Sequence, residues 1–335
     1  MPAPDGHKGP ATAGPASVAK GLARRTARRI AHALRLVRPV FILAPPRSGS
    51  TLLFDALAAT RQFHYYPVEN DWVWWRLFPP DRLTEPSDLV TAEDVAHREG
   101  ELRNALCDQI LSGYRNRFTG RQRLMNLASL LLRPGRPLLD KTIANCFHLD
   151  ALWRVFPDAR YIFLVRDPRA NISSMMEGWT SPERFGKTLV KPSLRELSRR
   201  SVHRWCYPVP PGWQRVIDRP LAEICAWSWK RHIEATLDFF DRTNVNPTFV
   251  RYEELTSRPA EVLDRIARRL CIRIPPDARE RWSNMPLSRT TVSPPDPHKW
   301  QRLHGDEIRA VLPHVMETAR RIGYDVSADS SRKEL

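Results

Sequence analysis

Two short stretches of the chain bring together hydroxyls, a glycine and arginines at spacings that suit the grip of a phosphate. The first, Phe41-Ile42-Leu43-Ala44-Pro45-Pro46-Arg47-Ser48-Gly49-Ser50-Thr51-Leu52-Leu53, reads as a strand, a tight loop and an apolar helix start. Backbone N–H groups in such a loop converge on one point, and the helix N-terminus adds the positive end of its dipole. Gly49 permits a positive φ, and Ser48, Ser50 and Thr51 offer hydroxyl donors at the helix cap. Arg47 can fork onto a phosphate through charge-assisted hydrogen bonds worth roughly 1.5–3 kcal/mol each. This is not the GxxxxGK[ST] loop, since there is one glycine and an arginine precedes it where a lysine should follow. The same residues would also make an ordinary capped helix after a strand.

The second stretch runs from Tyr161-Ile162-Phe163-Leu164-Val165 into Arg166-Asp167-Pro168-Arg169-Ala170-Asn171-Ile172-Ser173-Ser174. Pro168 suits the first turn of a helix, where its missing N–H is no loss. Arg166 ends the strand, the place where open α/β sheets bind ligands. Ser174 falls on the same helix face as position 167, so Arg166 and Ser174 can reach one phosphate. A structural Arg166–Asp167 pair competes with that role. Asn171-Ile172-Ser173 fits a glycosylation sequon, which carries no meaning in a cytoplasmic chain.

Elements that would hold these stretches are legible as short apolar runs alternating with helical periods, the mark of a parallel sheet with crossover helices. The runs are Val40–Ala44, Pro137–Asp140, Tyr161–Val165 and Thr248–Arg251, and their unbroken apolarity predicts strands buried on both faces. Helices are expected at about 50–60, 145–156, 168–178 and 259–270, with a longer one over about 220–241. Residues 180–215 show no clear period and read as an insertion, part of a lid or acceptor-side region over about 180–240. Residues 1–18 are rich in Pro, Gly and Ala and are expected to lack order. The predicted organisation is an N-terminal arm over 1–37, a catalytic domain over 38–326 and a loose tail over 327–335. The class is α/β: a P-loop-like, three-layer core with a mostly parallel central sheet flanked by helices.

Composition narrows the partners. Lys and Arg number 53 against 37 Asp and Glu, a formal charge of +16, which calls for an anionic partner. Eight of those cations stand in residues 1–40 (Lys8, Lys20, Arg24, Arg25, Arg28, Arg29, Arg35, Arg38) against Asp5 alone. That arm reads either as a solvated tether or as a patch for an anionic membrane surface or nucleic acid. Hydrophobic residues at 42% exclude a wholly disordered chain. No stretch approaches the ~18 consecutive apolar residues of a transmembrane span. Five scattered cysteines, odd in number and never spaced as a metal pair, argue against a disulfide scaffold or zinc knuckle and for a reducing, cytoplasmic setting.

The two stretches, in this order, resemble those of sulfotransferases that use 3′-phosphoadenosine-5′-phosphosulfate (PAPS). In that family a PxRSGTT-like loop holds the 5′-phosphosulfate, and Pro46-Arg47-Ser48-Gly49-Ser50-Thr51 matches it. The family's Arg, followed eight residues later by Ser, holds the 3′-phosphate, as Arg166 and Ser174 would. Arg251-Tyr252-Glu253-Glu254-Leu255 resembles the family's FYEDL segment, which would put Tyr252 by the adenine. The likeness spans roughly residues 38–325 and lies with the bacterial and tyrosylprotein-like branch. Three features depart from the cytosolic branch: Leu52 and Leu53 replace the adenine-stacking Trp, Lys141-Thr142-Ile143 lacks the His of KTH, and the RKGxxG loop is missing. Pro295-Asp296-Pro297-His298-Lys299-Trp300 is similar to the short PxKW segment of bacterial members.

What the resemblance implies for chemistry is sulfuryl transfer to a hydroxyl or amine, with 3′,5′-bisphosphoadenosine (PAP) released. Such a step needs a base for the acceptor proton and cations at the leaving phosphate. The donor has no β/γ-phosphate pair to bridge, so no metal is expected. In the resembled branch a Glu near this place is the base, which selects Glu69, in a Tyr- and Trp-rich setting that would raise its pKa. Asp71 and His148 are the alternatives, and an ion pair with a nearby arginine is the structural reading of Glu69. Lys141 would be the transition-state cation, shared with Arg47, or else a partner of Asp140 or another acid. The donor site is expected to comprise Arg47, Ser48, Gly49, Ser50, Thr51, Leu52, Arg166, Ser174, Tyr252 and Lys299, the last equally readable as a solvated loop cation. Trp clusters at 72–75, 205–213 and 227–229 would line an apolar acceptor pocket or form core, with core favoured for Trp227 and Trp229. Arg199, Arg200, Arg204 and Arg215 could receive an anionic acceptor. The acceptor itself, a small molecule, glycan or lipid, is not legible, nor is the oligomeric state. The competing classes are a P-loop-type small-molecule kinase, which lacks its lysine and magnesium-holding Asp here, and a basic nucleic-acid-binding protein, for which no recognition motif appears and which is not expected.

Overall fold

The computed structural model describes residues 38–79, 87–116, 135–180, 205–283, 286–294 and 296–327. The N-terminal arm, most of the 180–215 insertion with Arg199, Arg200 and Arg204, Pro295 and nearly all of the tail lie outside the described residues.

Five strands form one sheet: β1 (Val40–Leu43), β2 (His64–Tyr65), β3 (Leu138–Asp140), β4 (Arg160–Val165) and β5 (Thr248–Arg251). Their order is β2-β3-β1-β4-β5 and every pairing is parallel. Parallel neighbours need crossovers, and helices supply them on both faces. Along β1 and β4 successive side chains alternate sides: Phe41, Leu43, Tyr161, Phe163 and Val165 enter one apolar cluster, Val40, Ile42, Ile162 and Leu164 the other. The three-layer α/β architecture expected from the sequence is therefore present.

One face is covered by α1 (Ser50–Ala59), α8 (Pro259–Leu270) and α9 (Pro276–Ser283), whose buried side chains include Leu53, Leu57, Ile266 and Trp282. In α8, Val262, Leu263, Ile266 and Leu270 make a helical apolar stripe, with Pro259 at its first turn. The other face carries α2 (Asp71–Leu77), α3 (Glu99–Asn116), α4 (Leu149–Val155), α5 (Pro168–Trp179), α6 (Leu221–Thr243) and α10 (Lys299–Arg321). Helices α5, α6 and α10 pack on one another. The short α7 (Tyr252–Ser257) follows β5 directly.

Differences from expectation have local causes. The helix expected at 145–156 is a 3₁₀ turn over Ile143–Phe147 followed by α4, because His148 leaves helical geometry at φ −111°. Strand β2 is two residues long, too short for any period to show. The Trp-rich stretches are mostly core: Trp74, Trp205, Trp213 and Trp229 are buried, Trp227 is half-buried, and Trp179, Trp205 and Trp213 meet edge to face. Trp72, at 53% exposure, faces solvent. Among the described residues, no helix is long and apolar enough to cross a membrane.

Candidate active site

The first loop turns left-handed twice, at Arg47 (φ 67°) and Gly49 (φ 91°). At Gly49 a side chain is excluded on two counts: the dihedral disfavours one, and a Cβ would stand 2.4 Å from the Tyr252 ring. Ser48, between them, is fully buried and its hydroxyl donates to Asn171 Oδ1 at 2.7 Å. That hydroxyl therefore points away from the cavity, whose wall includes Pro46, Arg47, Gly49, Ser50, Thr51 and Leu52 but not Ser48. Helix α1 begins at Ser50 with no side-chain cap at its N-terminus, which opens onto the same cavity.

From β4, Arg166 reaches across: its Nη1 donates to the Arg47 carbonyl at 3.2 Å and its guanidinium lies over the Tyr252 ring at 4.5 Å. Tyr252 is thus in close contact with both Gly49 and Arg166. Asp167 does not pair with Arg166. It caps α5, accepting from the Arg169 amide at 2.9 Å, and holds the Arg169 guanidinium at 2.6 Å. Arg169 in turn lies over Trp300 at 5.6 Å. The Asp167 amide donates to Glu253, whose other oxygen accepts from Tyr324, so the β5–α7 junction is tied to the end of β4. Arg166, Ser173, Ser174 and Tyr252 all line the cavity.

On the opposite side of β1, Lys141 follows β3 and Glu69 precedes α2. Lys141 Nζ donates to Glu69 Oε1 at 2.8 Å, with the lysine side chain 8% exposed and the glutamate 26%. Lys141 chooses Glu69 over Asp140 because Asp140 is enclosed by its own donors: Asn70 Nδ2, Thr142 Oγ1 and Asn145 Nδ2. Burial raises the Asp140 carboxyl pKa above its ordinary value, opposed by those three hydrogen bonds and by Lys141. At its carboxylate Glu69 thus meets the Lys141 ammonium. His148 is buried, stacks on Trp74 at 3.9 Å, and burial lowers its pKa to about 3. Of the three candidate bases, Glu69 lines the cavity while Asp71 and His148 do not.

A segment over residues 286–294 closes the far wall. Arg289 holds it to Asp55 and to the Pro67 carbonyl, and Arg47 Nη1 donates to the Thr290 carbonyl at 3.0 Å. Lys299 is ion-paired with Glu177 at 2.6 Å and also meets Ser293, so it is a fixed wall cation instead of a solvated one. Arg215 is exposed and does not line the cavity. The cavity, open to solvent on one side, holds about 630 Å³, within the ~300–1,000 Å³ usual for ligand pockets. Sequence reasoning missed Asn171, Glu177, Tyr207 and the 286–294 segment. Only Asn171 left a signal, as a polar side chain inside the second stretch.

Residues 39–212 match a family model described as the sulfotransferase family. Among solved structures the chain is similar to a sulfotransferase from Alicyclobacillus acidocaldarius, at 18% identity, 88% of this chain, 99% of that one and a TM-score of 0.45. It is also similar to a sulfotransferase from Mycobacterium avium, at 16% identity, 89% and 80% coverage and a TM-score of 0.44. A third likeness is to the sulfotransferase domain from the curacin biosynthetic pathway, at 18% identity, 84% and 98% coverage and a TM-score of 0.44. No curated protein matches the chain.

Proposed function

Because the chain belongs to the sulfotransferase family, we propose that it moves the sulfuryl group of PAPS to a hydroxyl or amine of a small-molecule, glycan or lipid acceptor. The observation that carries this is one cavity lined by the Arg47–Leu52 loop, by Arg166 with Ser174, and by the Lys141–Glu69 pair. The residues fit the donor: three cations of the wall can meet its two phosphate groups and its sulfuryl group, and the loop at Gly49 has no Cβ to hold them off. We assign the 5′-phosphate end to Arg47 and the first turn of α1, the 3′-phosphate to Arg166 and Ser174, and the adenine side to Tyr252. Lys299 is a wall cation of the donor half.

When bound, PAPS supplies an activated sulfur whose bond to the 5′-phosphate oxygen can break. Glu69 accepts the proton of the acceptor hydroxyl as its oxygen bonds to that sulfur. Lys141 and Arg47 stabilise the charge that gathers on the leaving phosphate oxygen, in a step dominated by positioning and electrostatics. The Lys141–Glu69 bond can persist through that step, since a carboxylate offers about four acceptor positions and an ammonium three donors, and Lys141 meets Glu69 at Oε1. Metal ions have no part in this proposal, because no β/γ-phosphate pair has to be bridged.

The test is calorimetric titration of the full chain with PAP and with Mg-ATP, on the wild type, Arg47→Ala and Arg166→Ala. Metal-independent binding of PAP is expected, weakened about tenfold or more in each variant, the loss of one to two charge-assisted bonds. A preference for Mg-ATP, or indifference to both substitutions, would overturn the proposal in favour of a kinase.

A further inference from the structure

The tightest contact between the two phosphate-facing stretches is made by Asn171, a residue assigned to neither grip. Its side chain is fully buried. Oδ1 accepts from the Ser48 hydroxyl at 2.7 Å, and Nδ2 donates to the Pro46 carbonyl at 2.7 Å. The two partners flank Arg47, the non-glycine residue held left-handed at φ 67°. Such a conformation is strained for a residue that carries a Cβ and persists only where the surroundings over-determine it. Here the surroundings include one amide that pins the residue before and the residue after, beside the turn bond from the Ser48 N–H to the Pro45 carbonyl at 3.4 Å and the Arg47 bonds to Thr290 and Arg166. The twist the amide helps enforce also sends the Arg47 carbonyl to Arg166 Nη1, at 3.2 Å.

Asn171 sits on α5, anchored by its own amide to the Asp167 carbonyl at 2.8 Å. The same helix carries Ser174 three residues on, and Arg166 precedes its cap. A single rigid element therefore holds the first loop by Asn171 and presents the second grip. The amide suits both jobs, whereas a carboxylate cannot donate to Pro46, a hydroxyl is shorter, and an apolar residue satisfies neither partner. Burial also removes Asn171 from any glycosylating enzyme in the folded chain.

We infer that Asn171 is a positioning residue that locks Arg47 in its left-handed turn and so sets the spacing between the two phosphate grips. The inference rests on the donor reading above. Its test is PAP titration of the full chain at a temperature well below unfolding, with Asn171→Leu, Asn171→Asp, Ser48→Ala and the Ser48→Ala/Asn171→Leu double variant. Thr236→Val is the control: it removes a different buried hydroxyl bond, to the His232 carbonyl in α6, and is expected to lower the melting temperature without changing PAP affinity. Both Asn171 variants are expected to bind PAP about tenfold or more weakly, the worth of one to two lost hydrogen bonds. Asn171→Asp should do so although it keeps the Ser48 bond. Ser48→Ala should bind a few-fold more weakly, and the double variant no more weakly than Asn171→Leu, because the two residues share one interaction. In turnover assays the donor KM should rise while the acceptor KM stays.

Asn171 variants within about twofold of wild type in PAP affinity would reduce the residue to a structural one and overturn the inference. If both Asn171 variants fail to fold, Ser48→Ala decides on the same criterion. A wild type that binds no PAP removes the donor reading itself and this inference with it, an outcome distinct from wild-type binding that ignores Asn171.

Discussion

Replacing Glu69 by Gln separates its two assigned roles, base and partner of Lys141. At 2.8 Å the gross attraction between the two charges is about 6 kcal/mol for an effective dielectric of ~20. Most of that offsets the cost of taking the ammonium of Lys141, 8% exposed, out of water, so the net stabilisation is roughly 1–2 kcal/mol. The glutamine keeps an oxygen for Lys141 and removes the charge, and thermal unfolding should shift down by only a few degrees. Turnover behaves differently. Without a group able to take the acceptor proton, kcat should fall by about 10²–10⁴. Lys141 is at the same time less firmly held, so donor affinity should be unchanged or tighter. Lys141→Met should lose about 10²–10³ in kcat with no compensating gain in donor binding. The assay is single-turnover transfer from PAPS to any acceptor found by screening, with donor affinity measured separately. Glu69→Gln turnover within about tenfold of wild type would refute the general-base assignment, and donor affinity lost together with kcat would place Glu69 in the donor grip.

Two further outcomes follow from burial. Gly49→Ala should destabilise the protein by about 2 kcal/mol or more, from the left-handed dihedral and the collision with Tyr252. It should also abolish PAP binding. Thermal unfolding and titration check this, and an Ala variant with wild-type affinity would contradict the close approach of Tyr252 to Gly49. His148 and His232 are held neutral by burial, with pKa values lowered to about 3 and about 4. A lowered pKa in the folded state gives stability that is full above pH 6.5 and fades as pH falls toward those values. At pH 5 each histidine should have cost roughly 2 kcal/mol relative to pH 7. The raised carboxyl of Asp140 works the other way, gaining its proton sooner in the folded state. Urea unfolding midpoints should fall from pH 7 to pH 5, less steeply in His232→Gln, and equal midpoints would exclude the buried neutral histidines.

The cavity wall proposed for the donor was legible as residues because each of its two stretches is contiguous in the chain. Gly49, Arg166 and Ser174 take their places from one strand, one turn and one helix, and those local preferences survive folding. What was not legible depends on distant partners. Glu69 meets Lys141 across 72 positions, Ser48 meets Asn171 across 123, and Arg47 meets Thr290 across 243. Ser48 carries a hydroxyl suited to phosphate, yet tertiary contact turns it to Asn171. His148 has the chemistry of a base, and only the packing on Trp74 shows that it lies buried outside the cavity lining. The helix over 145–156 broke for a similar reason, since Asn145 is drawn to the buried Asp140.

Strand order explains why the acceptor stayed hidden. With β1 at the centre, the crossover to β4 and β5 puts Arg166, Ser174 and Tyr252 on one side of the loop, and β3 and β2 put Lys141 and Glu69 on the other. The donor side needs fixed charges at fixed spacing, which a short pattern can encode. On the proposed reading the acceptor side needs only one base and a shaped wall, and Val68, Ile143, Pro208 and Leu287 are apolar residues of the cavity lining with no pattern of their own. The proposal thus assigns acceptor choice to scattered packing residues, and substitutions there should change the acceptor KM while leaving PAP affinity alone.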